Sequence, residues 1–445
     1  MIRQAGSGQL LNPAKRSSPY PFLRQLMESF FEVKRPDEVF EIIDRLISPT
    51  GEETVPLSAA VDRVMARDMK APEDLPGFFR STMDGYAVRA KGTFGATEGL
   101  PALFQVVGEV RMGRPPDMVV KEGQAVKIPT GGMLPQGADS VLMKEYCHCL
   151  DEETIEATRA ASPLENVIGP ADDFRRGAVF LTKGHRLRPQ DVGVLAGFGI
   201  TEIPVFKKPR IAIISTGDEI VPVDHTPLPG QVRDINQYTL GALCQRAGAE
   251  PVFLGLCPDK FEPLKGIVEE ALARSDSVWI SGGSSVGTRD LTLRVFESLA
   301  DFELLVHGIS ISPGKPTIIG RAGSRPVVGL PGHVASALVV AEVFMTRMIS
   351  LLSGYAGRPR RWGTVVEAEL SRNIPSANGR EDYVRVMLSE GENGLTAVPV
   401  FGKSGLISTL VDADGLVRID MNAEGLYQGQ RVKVILFEHT EGGLL

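Results

Sequence analysis

The sequence predicts a multidomain protein that joins an α/β domain to several β-rich ones. Three observations carry that expectation. Strand-like and helix-like runs alternate between residues 206 and 355. Short apolar runs divided by Gly and Pro fill 53–150 and 360–445. At 445 residues the chain is long enough for about three domains, or four small ones.

Composition narrows the class. With 43% hydrophobic and 23% charged residues, the chain has enough apolar surface to fold rather than stay disordered. A net charge of −7 argues against sequence-independent nucleic-acid binding, which needs a dense cationic footprint. Aromatic residues at 6% offer few platforms for stacking single strands. The cysteines Cys147, Cys149, Cys244 and Cys257 are too few for a disulfide scaffold and fit a reducing compartment. The N-terminal stretch lacks the continuous apolar run of a signal peptide. The most apolar segment, Val327–Ala341, contains Pro331 and Gly332 and is too short to span a bilayer. The expectation is a cytoplasmic protein with neither membrane nor nucleic acid as partner.

The elements follow in order. Residues 1–18 read as a polar tail. Phe22–Val33 sets Phe22, Leu26, Phe30 and Phe31 on one side of a helix. Pro36-Asp37 opens a second helix whose stripe is Val39, Phe40, Ile43, Leu46 and Ile47, suited to core or dimer packing. Ala102–Val107, Ala125–Ile128 and Ser140–Met143 read as short strands of a β module. Residues 151–205 add further short strands, the loop Glu165–Gly177 and a short helix at Pro189–Gly199. In the alternating block, Ile211–Ser215, Pro251–Leu256, Ser277–Ser281, Glu303–Val306, Thr317–Ile319 and Val327–Leu330 read as strands. Gln237–Ala247, Phe261–Arg274 and Val334–Leu352 read as helices. This rhythm predicts a parallel sheet covered on both faces, with ligands at the carboxyl ends of its strands. Beyond a Gly/Pro break at Gly354–Pro359, the runs Thr364–Leu370, Tyr383–Leu388, Leu395–Val400, Leu416–Ile419 and Arg431–Phe437 predict a small β-barrel.

Candidate chemistry gathers at those strand ends. Ser281–Gly287 follows a strand and precedes helix-compatible sequence; its three glycines free backbone N–H groups for an anion and its serines add hydroxyl donors. It matches neither a P-loop nor a G-x-G-x-x-G pattern, and an ordinary Gly-rich turn is the competing reading. Ser215–Glu219 ends the first strand of the block with two carboxylates, suited to a metal, to hydroxyl recognition or to helix capping. Asp234 and Asn236 follow, Asp259 lies past the next strand, and Asp290 lies three residues after Gly287. Such acids suit Mg²⁺ held partly through phosphates. Ser312–Pro316 holds Lys315 in a stiffened loop, and Leu330–His333 leads into the long helix with Ser336 in its first turn; together they suit an oxyanion pocket, a solvated loop lysine being the competing reading of Lys315. Cys147-His148-Cys149 puts both cysteines on one face of a strand, but a tetrahedral metal site needs more ligands than stand nearby.

In this order the strings resemble the molybdopterin molybdenumtransferase family, the MoeA-type proteins and the E domain of gephyrin, from about residue 36 to 437. Leu75-Pro76 through Ser81-Thr82-Met83-Asp84-Gly85-Tyr86-Ala87 is similar to the family's hallmark loop. Ile128–Gly131 through Leu134–Val141 with Glu145, then Asn166 with Asp172-Asp173, resemble the next blocks. Ser215–Glu219, Asp234-x-Asn236, Ser281–Gly287 with Asp290, Pro313–Pro316, Leu330–Gly332, Gly379-Arg380, Arg385 and Lys403–Gly405 complete the series.

The resemblance implies a three-layer, MogA-like molybdopterin-binding domain at 206–355 and a C-terminal β-barrel at 356–445. It implies a small β domain at 76–150, with 19–75 and 151–205 forming N-terminal helices, a linker and an elongated dimerisation domain. The implied activity is insertion of molybdate into adenylated molybdopterin, releasing AMP with Mg²⁺. The implied assembly is a homodimer supplied by a molybdopterin adenylyltransferase. By motif match, Gly282, Gly283, Ser284, Ser285 and Gly287, with Thr216 and Gly217, would hold the pterin phosphate or adenylate. Glu219, Asp259 and Asp290 would be the acidic residues, Asp259 and Asp290 binding metal. Asp84, Thr130 and Asp173 would come from the second subunit, while Lys315, Ser336, Arg380 and Ser404 would line the molybdate pocket. The chain departs from the family at Ser284 (usually Val), Ser312 (usually Lys), Asp172 (usually Glu) and His333-Val334 (usually Asn-Pro), and Ile168-Gly169-Pro170 replaces the usual arginines. The lost lysine leaves a tungstate-preferring insertase and a non-catalytic cofactor carrier as rivals, beside an adenylyltransferase.

Overall fold

The computed structural model describes residues 33–282, 286–355, 364–391 and 394–437; side chains at 286–290 are excluded. The helix expected at 22–33 lies outside the described residues except for its last position. The chain divides into two compact units, one of residues 52–206 and one of the flanking segments.

The flanking unit is built on a six-stranded sheet. In spatial order its strands are Glu250–Cys257, Arg210–Thr216, Ser277–Gly282, Arg325–Leu330, Ile318–Ala322 and Phe302–His307. Alternation along each strand explains the two cores. Ile211, Ile213, Trp279 and Val328 face the helices Asn236–Arg246 and Val334–Val340. Ala212, Ile214, Val278 and Val327 face Phe261–Arg274 and Val286–Glu297.

Sequence rhythm predicts a wholly parallel sheet, and here the structure differs. The first four strands are parallel, but Ile318–Ala322 runs antiparallel to Arg325–Leu330, and Phe302–His307 antiparallel to Ile318–Ala322. The cause is local: Ala322 pairs with Arg325, leaving only Gly323-Ser324 to turn the chain, with Gly323 at φ +60°. A two-residue connection makes a hairpin and has no room for a crossover.

The long helix forms over Val334–Leu352 as expected, with a π-helical turn at Ala341–Met345. It is long and apolar enough to cross a membrane, yet two-thirds of it is buried inside this unit, where Phe344, Met345, Met348 and Ile349 are core residues.

Helix Pro36–Leu46 packs here too. Val39, Phe40 and Ile43 join the same core, and the Phe40 ring sits 4.9 Å from that of Phe344. The sequence grouping puts residues 19–75 with 151–205; the structure divides that stretch at Gly51, because the helix stripe has an apolar face of the α/β domain to bury against.

The C-terminal strands close. Glu381–Gly391, Gly394–Pro399, Val365–Leu370, Arg431–Leu436 and Gly415–Ile419 pair in that order, and the last returns to pair with the first. Closure leaves this five-stranded barrel without open edges. A two-residue strand of the α/β domain, Ile311–Ser312, pairs in parallel with Glu381 and Asp382.

In the 52–206 unit, a six-stranded sheet runs in the order Ser140–Met143, Gly85–Val88, Gln124–Ile128, Ala102–Glu109, Thr154–Ala157 and Cys147–Cys149. Two-stranded ribbons tie 52–56 to 202–206, 69–70 to 179–181 and 80–81 to 167–168. The helix Pro189–Gly197 buries Leu195 against Val55, Met65 and Ile203.

Candidate active site

The parallel strands of the α/β domain deliver their C-termini to one edge. Thr216, at the end of Arg210–Thr216, is buried and donates its hydroxyl to Asp259 Oδ1 at 2.6 Å. The Asp259 N–H in turn donates to Asp218 Oδ1 at 3.2 Å. Burial pushes the Asp259 carboxyl above its ordinary range; Asp218 and Glu219 act in the same direction, against the Thr216 bond. Like charges crowded in this way favour a cation or a proton among them. Among the described residues, no three His, Cys, Asp or Glu side chains converge into a preformed metal cage. The carboxylates gathered at this edge, Asp218, Glu219 and Asp259, are the hard oxygen donors that a largely hydrated Mg²⁺ takes one or two at a time.

Behind this edge, Asn236 Nδ2 donates to Ser281 Oγ at 2.8 Å and to the Gly332 carbonyl at 2.7 Å. One amide thus fixes the end of the Ser277–Gly282 strand against the turn before the long helix. Asp234 accepts from Ser215 Oγ at 2.9 Å and from the Gln237 N–H at 3.1 Å, capping the helix from Asn236. Gly282 must be glycine here: a Cβ would lie 2.1 Å from the Thr216 carbonyl oxygen. Gly283, Ser284 and Ser285 lie outside the described residues. Gly287 and Asp290 lie on the helix Val286–Glu297, where the described structure gives no side-chain positions.

A cavity of about 150 Å³ opens at this edge, lined in part by Gly282, Pro316, Pro331, Gly332, His333 and Ser336. His333 begins the long helix, and its Nδ1 lies 2.9 Å from Ser404 Oγ of the barrel. The Ala335 N–H donates to the Ser404 carbonyl at 3.1 Å. Lys315 is exposed, its carbonyl accepting from the Ile309 N–H. Gly314, at φ +118°, lets that loop pass close to the long helix: a Cβ would meet Val340 Cγ2 at 2.4 Å.

The two arginines of the C-terminal motifs, Arg380 and Arg385, differ. Arg380 is exposed and paired with Asp382, Nε to Oδ1 at 2.9 Å, so its charge is already answered. Arg385 is only 9% exposed, and its Nη2 donates to the Gly402 carbonyl at 3.1 Å. Its Nε and Nη1 are buried without a partner among the described residues. Burial holds the guanidinium below its ordinary pKa, the cost of a cation with unmet donors. Motif reading names Arg385 without giving it a pocket role. The signal for one is a lone arginine inside the apolar strand Tyr383-Val384-Arg385-Val386.

The remaining expected residues lie in the 52–206 unit. Asp84 Oδ1 accepts from the Thr130 N–H at 2.7 Å and from its hydroxyl at 2.9 Å. These two bonds lower the Asp84 pKa. Asp173 is exposed, its N–H bonded to the Leu75 carbonyl.

A cavity at the strand ends of a three-layer α/β domain, beside a β-barrel loop, is the usual place of a small-molecule site in such a fold. Three family descriptions match in succession: the MoeA N-terminal region (domains I and II) over 34–199, a probable molybdopterin binding domain over 212–350, and the MoeA C-terminal region (domain IV) over 367–437. A putative molybdopterin biosynthesis protein of Methanocaldococcus jannaschii is 33% identical, covering 93% of this chain and all of the relative. The molybdopterin molybdenumtransferase of Bacillus subtilis is 31% identical, covering 92% of this chain and 96% of the relative. The crystal structure of a MoeA molybdopterin biosynthesis protein of Pyrococcus horikoshii aligns with TM-score 0.77 at 36% identity, over 92% of this chain and all of that one. The chain belongs to the MoeA family of molybdopterin molybdenumtransferases, enzymes of molybdenum cofactor biosynthesis.

Proposed function

We propose that this chain inserts molybdate into adenylated molybdopterin and releases AMP, acting with Mg²⁺ as a cytoplasmic homodimer. The observation that carries the reading is Arg385, a buried guanidinium with two open donors, joined through the 402–404 loop to His333 and the cavity. A tetrahedral oxyanion is the ligand whose charge and acceptors answer it. Ser336, Ser404 and Lys315 add hydroxyl and ammonium donors that orient such a dianion. Arg380, held by Asp382, contributes through the loop rather than by direct charge.

Thr216 positions Asp259, and Asn236 holds Ser281 and Gly332 in place, so the phosphate-binding edge is organised before substrate arrives. Asp259 and Asp290 are the carboxylates that would hold Mg²⁺; when bound, the metal neutralises phosphate charge and stabilises AMP as leaving group. Asp84, Thr130 and Asp173 act from the second subunit of the dimer, with the Asp84 carboxylate kept ionised by Thr130. A molybdopterin adenylyltransferase supplies the substrate.

The deciding experiment follows AMP release from adenylated molybdopterin with Mg²⁺, adding molybdate or tungstate in turn. Release that depends on molybdate bears out the reading. Release with tungstate alone reassigns the oxyanion and points to Ser312 as the cause. Tight adenylate binding without release under either anion overturns catalysis in favour of a carrier.

A further inference from the structure

The chemistry proposed above leaves His333 without a task, although it lines the cavity. Most of the described lining is Gly, Pro and apolar side chains, Pro316, Ile318 and Leu330 among them. Its polar side chains are Thr292, His333 and Ser336. Of these three, only the imidazole can carry a positive charge.

The ring is held along one edge by the barrel loop. Nδ1 lies 2.9 Å from Ser404 Oγ, and a Cβ at Gly405 would stand 3.9 Å from Cδ2. The main chain is fixed as well. The His333 carbonyl accepts from the Ala337 N–H at 2.9 Å, and the Ala335 N–H donates to the Ser404 carbonyl at 3.1 Å. Nε2 has no partner among the described residues. It is the ring nitrogen left for whatever occupies the cavity.

We propose that His333 Nε2–H donates directly to the oxyanion bound in this cavity, and that Ser404 is the positioning residue that makes it a donor. The proposal rests on the insertase reading, because it needs an oxyanion there. A hydroxyl that donates to Nδ1 leaves the ring proton on Nε2. That tautomer offers an anion an N–H. The reverse tautomer, with Nδ1–H donating to Ser404, would offer a lone pair and repel it. Ser404 thus orients the dianion through the ring. The apolar walls lower the local dielectric and strengthen the N–H···O⁻ bond.

The test measures molybdate and tungstate binding to the full-length protein by equilibrium dialysis, together with the anion concentration that half-saturates AMP release. Two amide variants separate the ring nitrogens. Asn can place a polar atom near the Nδ1 position and keep the Ser404 bond, with nothing at Nε2. Gln reaches the Nε2 position and gives up the Ser404 bond. His333 is exposed, so both substitutions leave the core untouched. His333→Asn should weaken anion binding about 10-fold or more, the scale of one hydrogen bond to a charged group, with affinity for adenylated molybdopterin unchanged. His333→Gln should recover most of that loss. Ser404→Ala should cost less than His333→Asn, because the donor remains and only its tautomer is released. In ¹⁵N-histidine spectra, Nε2 should carry the proton and shift on adding molybdate.

Wild-type anion affinity in His333→Asn overturns the inference and leaves the insertase reading standing. A larger loss in Ser404→Ala than in His333→Asn also overturns it, making the serine hydroxyl the donor. So does a bare Nε2 in the anion-bound protein. A wild-type protein that binds neither anion overturns the oxyanion reading itself, and this inference with it.

Discussion

Asp191 and Arg385 are both buried charges, and the protein treats them in opposite ways. Asp191, 7% exposed, accepts from His185 Nε2 at 2.7 Å and from Arg188 through its backbone N–H, Nε and Nη2 at 2.8 to 3.1 Å. Burial alone would raise its pKa, but the Arg188 and His185 bonds outweigh it and hold the carboxyl far below its ordinary range. It ties the turn at His185 to the start of the helix Pro189–Gly197, and its valences are spent on structure. Arg385 is as deeply buried but keeps two donors unused. A satisfied buried charge marks architecture, whereas an unsatisfied one marks a place held ready for something absent.

The sharpest way to break that comparison is to remove Arg385. Arg385→Met should cut oxyanion-dependent AMP release about 100-fold, the scale of losing one preorganised donor. Its unfolding midpoint in urea should stay level or rise, because an incompletely paired buried cation is traded for apolar packing. A large destabilisation would place Arg385 with Asp191 as a structural group. Asp191→Asn is the mirror experiment: a loss of about 2 kcal/mol by urea unfolding, with AMP release per folded molecule unchanged.

Asp259 sharpens the same contrast at smaller amplitude. Its folded pKa lies above the unfolded value of 3.8. The stability it contributes is therefore present below that value and lost as pH rises through the raised one. At neutral pH, Asp259→Asn should melt at the same temperature as wild type or slightly higher, while needing more Mg²⁺ for half-maximal activity. Differential scanning calorimetry paired with a Mg²⁺ titration checks both. The smallest effect belongs to the exposed Asp84, whose lowered pKa has the opposite sign: its contribution is present above 3.8 and lost as pH falls through the folded value. Thr130→Val removes the hydroxyl bond and leaves the backbone one. The Asp84 carboxyl, followed by ¹³C NMR, should titrate closer to its ordinary value, with no measurable change in unfolding.

Local periodicity made much of this legible. The helix Phe261–Arg274 has the same ends in sequence and structure, and the strand Ser140–Met143 likewise. The antiparallel edge of the central sheet is hidden in strand rhythm alone and shows only in the two-residue turn at Gly323-Ser324. The C-terminal barrel was legible from its short apolar runs, but its strand order was not, since the pairing of Glu381–Gly391 with Gly415–Ile419 is non-local. At the site, motif order supplied the residues but not their partners. Arg380 and Arg385 look alike in sequence; only the neighbour Asp382 and the depth of the strand separate them.

The short strand Ile311–Ser312 bears on where this protein can be cut. It gives its backbone to Glu381 and Asp382, and the Ala335 N–H at the head of the long helix is answered by Ser404. A truncation in the Gly/Pro stretch after Tyr355 would leave both orphaned, exposing a sheet edge on one side and an uncapped helix start beside the cavity on the other. The composition break near residue 356 marks where the chain changes architecture, but the α/β fragment on its own would be a worse-ordered and stickier molecule than the one inside the whole protein.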